Sequence, residues 1–440
     1  MLNTKRRKET DHVSSVIPAY QSLYSSKDHS NDPAWLRDVR AAGLAAFTNE
    51  GFPSLRNERW KYTNLTPLDT GEFTAVEPAN DAFKIGPKSA WAQARMVFVN
   101  GVYREDLSDI NELKGQVKVV RMHHSLSTMK DDFGLLIDEA LPTVGLNSAL
   151  MQDGYRVVVA DKAKIDGVLE VVFANSGHKN AVFPRNSMKL GKDSVLTLVE
   201  RHIGQGSYFT NSVGEVNVQD GAKLHHYRLQ DDDISAISLS HSFVRVGANA
   251  LYDNFALSTG AKLARNEISC VLEGEGGHLN LLGAYLISDA ADGKGQICDT
   301  TTFIDHAVAN TTSKEVYKGV LDGRGHGVFQ GKILVREDAQ KIVGNQLSRA
   351  LMLSDKAEIN TKPELEIYAD DVICSHGATV GDLDDESLFY LRSRGIPKSK
   401  ARALLVKSFI GEVLEEIDHE AVREAFTEHA SNWLIANAEG

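Results

Sequence analysis

Cysteine, aromatic residues and long apolar runs are all scarce in this chain. Its 440 residues hold no apolar run near the ~18 residues that a membrane span requires, so no spanning helix is written in it. The three cysteines, Cys270, Cys298 and Cys374, are too few and too scattered for a disulfide framework. None has the C-x-x-C spacing of a structural zinc site, and a reducing cytosol is the expected compartment. A basic excess is missing too. The formal net charge is −12, which argues against a nucleic-acid binder. The opening residues 1–10 are basic, but no hydrophobic signal core follows, so they read as a frayed tail.

Helical periodicity is nearly absent from residue 155 to about residue 372, where short Val-, Leu- and Ile-rich strands alternate with Gly, Asn, Asp and Lys turns. The triplets Lys192-Asp193-Ser194, Asp220-Gly221-Ala222 and Gly247-Ala248-Asn249 read as one recurring corner. Their spacing, roughly 20 to 30 residues per coil, is that of a solenoid. A sandwich also gives many short strands. The length of the region, and small corner residues in place of Asn-Gly hairpins, favour a β-helix. Its open ends need protection, and helical flanks are expected to supply it.

Those flanks are visible. Residues 1–31 read as a flexible polar segment with one amphipathic turn around 16–23, and 32–154 as a helical and mixed region. In the latter, Asp32 is a candidate cap, Pro33 suits a first helical turn and Gly51 a helix end. Residues 52–65 read as a connector anchored by Trp60 and Tyr62. Asn100-Gly101 predicts a hairpin within residues 96–103. The β-helix spans 155–380, and 381–440 is helical again. Asp384 and Asp385 begin one helix there, with Leu388, Phe389, Tyr390 and Leu391 as its apolar side.

Catalytic motifs are missing as well. Gly323-Arg-Gly-His-Gly-Val-Phe-Gln-Gly-Lys332 has a phosphate loop's composition but not its spacing, and Ile333 stands where Ser or Thr would bind magnesium. It reads as a glycine-rich corner. Cys270 lies in an apolar strand, as a small buried hydrophobe would. In extended chain, His123-His124 and His225-His226 put neighbouring rings on opposite faces, so neither pair chelates a metal alone. Cys374 and His376 differ: two residues apart in extended chain, they share a face. A buried cysteine beside a structural histidine is one account. Two soft or borderline ligands for iron, zinc or copper(I), completed from elsewhere, is the other.

Asn360-Thr-Lys-Pro-Glu-Leu-Glu-Ile-Tyr-Ala-Asp-Asp-Val372, Cys374-Ser-His-Gly-Ala-Thr379 and Leu388-Phe-Tyr-Leu-Arg-Ser-Arg-Gly-Ile396 closely resemble the SufB/SufD family of iron–sulfur cluster assembly proteins, on its SufD side. Gly344-Asn-Gln-Leu-Ser-Arg349 and Arg56-Asn-Glu-Arg-Trp-Lys-Tyr-Thr63 are similar to that family too. The resemblance implies a right-handed parallel β-helix between N- and C-terminal helical regions. It implies a non-catalytic scaffold that pairs with SufB through the β-helices and carries the SufC ATPase on its C-terminal helices. Iron or a nascent cluster, shared with SufB, is the implied cargo, and a flavin in the complex is not readable from the sequence. By the resemblance, His376 and Cys374 are candidate ligands at the partner interface. Two other readings stand beside it. A β-helix enzyme acting on polysaccharide would need sugar-stacking aromatics, and aromatics are only 7%. A homodimeric scaffold would pair the same edge with itself.

Overall fold

The turn triplets become one corner of a parallel β-solenoid. In the computed structural model, which describes residues 16–68, 73, 85–110, 113, 117–138 and 140–437, each of the three triplet corners holds a residue in left-handed conformation. Asp193 (φ 57°), Gly221 (φ 67°) and Asn249 (φ 52°) are successive examples. Gly, Asn and Asp tolerate this region best, so the composition of the triplets follows from the corner's backbone. The corners also stack. The Asp193 N–H donates to the Asp220 carbonyl at 2.9 Å, Gly221 to Ala248 at 2.8 Å and Asn249 to Glu275 at 2.9 Å. Of the glycine-rich stretch 323–332 only the first residues turn a corner, with Gly323 at φ 52°; from residue 326 it belongs to the strand His326–Val335.

From Val195–Gln205 onward, consecutive strands alternate between two sheets of ten strands each, giving about eight coils. One sheet ends at Ile342–Met352 and Val372–Gly381, the other at His326–Val335 and Glu358–Ile367. Register offsets run from 26 residues (Ile237 beside Leu263) to 34 (Leu263 beside Ile297). That exceeds the expected 20 to 30, because some corners carry extra loop, such as residues 288–296. The expected hairpin forms between Ala92–Val99 and Val102–Tyr103, turning at Asn100 and Gly101. Its first strand also pairs in parallel with Lys164–Ser176, so the sheet begins upstream of residue 155.

Equivalent residues stack into columns. Val244, Cys270, Ile304 and Ile333 form an aliphatic column in the solenoid interior. Cys270 is one link in it, which is the small-hydrophobe role expected. Cys298 is buried as well, and burial pushes its thiol up to about 12.

All but one of the helices described next lie along the solenoid's outer faces; the exception, Asp385–Ser393, packs on the helix after it. We number them α1 (Ala34–Glu50), α2 (Pro142–Leu150), α3 (Asp385–Ser393), α4 (Lys398–Leu414) and α5 (Glu420–Asn437). Tyr20, Phe47, Phe52 and Trp60 pack with Phe183, Phe209 and Leu239 on one sheet. Val406, Ile410, Val413 and Phe426 of α4 and α5 pack with Tyr227, Phe255 and Leu282 on the other. Where they pack, both faces of the sheet are covered, as parallel sheets require. Lys318, on that outer face, donates to the Phe409 carbonyl at 2.8 Å and fastens α4 down.

Three expectations need correction here. The helices do not close the solenoid's C-terminal end; they cover its sides, because their apolar stripes match the outward residues of the strands. The amphipathic turn expected around 16–23 is a helix over residues 16–25, with Val16 and Tyr20 buried among aromatics, so this part of the expected flexible segment 1–31 is packed; residues 1–15, including the basic opening, lie outside the described residues. Asp32 does not cap α1 with its side chain. Pro33 holds the cap position, and the Asp32 carboxylate accepts from Arg40 Nε at 2.7 Å.

Candidate metal centre

Cys374 and His376 stand on Val372–Gly381, the last strand of its sheet. On its inner side this strand pairs with Ile342–Met352, and no strand follows on the other. The final strand of the opposite sheet, Glu358–Ile367, ends its sheet in the same way. Two unpaired strand edges therefore lie together at one end of the solenoid. Ile373 (70% exposed), Tyr368, Val380 and Ile367 leave apolar surface there.

The two candidate residues share a face, as the spacing predicts, but not an environment. Cys374 packs against the interior cluster, over Gly344, with Sγ 3.3 Å from where a Cβ on Gly344 would stand. Burial raises its pKa, against a smaller opposing effect from a backbone hydrogen bond with Gly344. The resting side chain is thus a protonated thiol. A cation would have to displace that proton to make it a ligand. His376 is exposed, with no hydrogen-bond partner among the described residues. Its imidazole is presented to whatever meets the edge.

Beneath His376 runs a column of buried polar side chains that the sequence reading did not single out. Gln346 is its register neighbour, and Glu315 is the neighbour of Gln346 one coil further in. Gln346 Nε2 donates to Glu315 Oε2 at 2.6 Å, and Thr302 Oγ1 donates to Glu315 Oε1 at 2.5 Å. Burial pushes the Glu315 carboxyl up to about 7, although these two hydrogen bonds act the other way. Gln346 Oε1 is buried without a donor.

The connector over residues 52–65 braces the other sheet. Trp60 lies 4.0 Å beneath the Arg265 guanidinium, and the Arg59 carbonyl accepts from Arg265 Nη2 and Gln330 Nε2, both at 3.0 Å. Arg265 pairs in turn with Glu267 and Asp299. Burial alone would raise the Glu267 carboxyl, but the Arg265, His241 and Arg59 charges hold it down at about 2. Glu58 bonds Lys362 of the final strand at 2.6 Å, so the connector reaches the open end. Trp60 is the expected anchor; Tyr62 is only half-buried.

Among the described residues, no third Cys, His, Asp or Glu joins Cys374 and His376 within metal-binding reach. The arrangement is one accessible imidazole, one recessed thiol and an unpaired sheet edge. His123 and His124 lie in the short helix Met122–Ser125 and not in extended chain. His225 and His226 do point to opposite faces, His226 inward to the Tyr252 hydroxyl and His225 outward to Asp253.

Residues 172–409 match the family model described as the SufBD core domain of the SUF system for FeS cluster assembly, and residues 15–171 the SufBD protein N-terminal region. The iron–sulfur cluster assembly protein SufD of Escherichia coli is 30% identical over 394 residues, covering 87% of this chain and 89% of that protein. A SufBD family protein of Synechocystis is 29% identical over 387 residues, 83% of this chain and 84% of the relative. SufD of Bacillus subtilis is 25% identical over 433 residues, 93% and 96% of the two chains.

Proposed function

The chain belongs to the SufBD family of iron–sulfur cluster assembly proteins, and on that premise we propose that it is a non-catalytic, SufD-like scaffold subunit working with SufB and the SufC ATPase. The observation that carries this reading is the open end of the solenoid. Unpaired parallel edges bordered by Ile373, Tyr368 and Val380 offer a partner solenoid main-chain hydrogen bonds and apolar contact at once. A SufB-type partner has such a solenoid to offer.

In this reading residues 155–380 supply the pairing core and 381–440 the ATPase-docking region. His376 is a ligand for iron or a nascent cluster, held only when the partner completes the coordination. Cys374 joins as a thiolate once the incoming cation displaces its proton to water. The cargo is transient, so a site left incomplete in one chain suits loading and release better than a closed one. Exposed Phe389 and Tyr390 on α3 support the ATPase-docking role, because an apolar helix face in water calls for a partner.

Co-expression of this chain with SufB and SufC tests the pairing. A stable complex is expected, and Ile373→Lys, at a site too exposed to disturb the fold, is expected to abolish SufB pairing while leaving the isolated chain's melting temperature unchanged. Retention of a full complex by that variant would overturn the edge-pairing mode. A homodimer formed through the same edge would show as doubled mass without partners, lost in the same variant.

A further inference from the structure

We propose that His225, Asp253 and Asp418 form a divalent-cation site that clasps the C-terminal helices to the solenoid. The three come from distant parts of the chain. His225 and Asp253 are register neighbours on adjacent coils, facing outward from Lys223–Asp231 and Leu251–Ser258. Asp418 lies in the turn between α4 and α5. One ligand atom from each lies within 4.8 Å of the others. His225 Nδ1 is 2.9 Å from Asp253 Oδ2 and 3.7 Å from Asp418 Oδ2. Ligands roughly 2.0–2.2 Å from a zinc-class ion sit about 3 to 3.5 Å from one another, so these spacings already bracket a coordination shell.

The surroundings are built for it. Asn280 Nδ2 donates to Asp253 Oδ1 at 3.0 Å, which fixes the carboxylate with Oδ2 toward the centre. Tyr227 OH donates to Asp253 Oδ2 at 3.1 Å and accepts from the Asp418 backbone N–H at 3.3 Å, tying the helical turn to the same spot. Arg423 Nη1 holds the turn from the other side through the Ile417 carbonyl, at 2.9 Å. Asp253 is buried, whereas Asp418 is 75% exposed, so the centre has a wall on the solenoid and a door to solvent. One imidazole and two carboxylates suit a borderline divalent ion such as Zn²⁺, with water in the remaining positions. With no ion, a single proton on His225 Nδ1 bridges to Asp253, and Asp418 is left without that link. Binding through Nδ1 takes the other neutral tautomer, with the ring's one proton on Nε2, and brings all three residues onto one ion.

The test uses the full chain, stripped with chelator and titrated calorimetrically with zinc chloride. Wild type is expected to take up zinc at this site, with a raised melting temperature and slower amide exchange over residues 409–420. Asp418→Asn, at an exposed position that the fold tolerates, is expected to weaken that site more than about tenfold and to abolish both effects. His225→Gln is expected to do the same, and His376→Ala to leave the site intact. Equal zinc binding by wild type and both ligand variants overturns the proposal. So does loss confined to His376→Ala, which would assign the ion to the solenoid's end.

Discussion

Gln346 donates through Nε2 to Glu315 Oε2 at 2.6 Å, directly beneath the strand that carries His376. This places a carboxyl group inside the solenoid with no cation to balance it, and burial lifts its pKa from 4.5 to about 7. The sign of the consequence is fixed. Above the ordinary carboxyl range the unfolded chain gives up this proton, while the folded chain keeps it until about pH 7. Stability from this group is therefore complete below about pH 4.5 and lost progressively up to pH 7, by roughly 3 kcal/mol at most. Glu315→Gln is expected to flatten the profile, gaining on wild type at pH 8 but not at pH 4.5. Denaturant unfolding at the two pH values checks this; parallel profiles for the two proteins would count against the buried neutral acid.

The exposed face of α3 makes a second prediction. Phe389 is 73% exposed, and no residue of this helix is fully buried. Phe389→Ala combined with Tyr390→Ala is expected to change the chain's own stability by less than about 0.5 kcal/mol. The same pair is expected to weaken binding of the ATPase subunit at least about tenfold, as truncated aromatic anchors do. Asp384 caps α3 by accepting from the Ser387 N–H at 2.9 Å, so Asp384→Ala should fray the helix. It should weaken docking less than the aromatic pair. Binding measured by surface plasmon resonance on immobilised chain separates these cases, and unaltered binding by the double variant would remove α3 from the docking surface.

The corners were legible in the sequence because their chemistry is local. Asp193, Gly221 and Asn249 occupy backbone conformations that few residue types accept, and such positions announce themselves in composition. Helix starts were partly legible for the same reason: Asp384 and Asp385 begin a helix as expected, with Asp384 its cap, while Asp32 is drawn away from capping by Arg40, eight residues on. Where the helices dock was not legible. An amphipathic stripe shows that a face is buried, not which surface buries it, and α4 and α5 met the outer sheet instead of the solenoid's end.

The candidate pair divided along similar lines. Spacing placed Cys374 and His376 on one face, but their unequal exposure depends on the last coil being uncapped, which no local pattern records. The Glu315–Gln346 column was hidden because polar residues in a strand read as outward-facing. His225 was set aside as half of an adjacent pair. Its real neighbours, Asp253 and Asp418, are brought to it by the coil register and by the fold-back of the helical turn.

The central claim is that His376 serves cluster building without holding the complex together. The direct measurement is iron and sulfide content after reconstitution of the co-purified complex with SufB and SufC, comparing wild type with His376→Ala. The exposed ring bears no structural hydrogen bond, so the variant complex is expected to assemble normally and to fall severalfold in cluster yield. An intact complex with wild-type cluster content would contradict the claim.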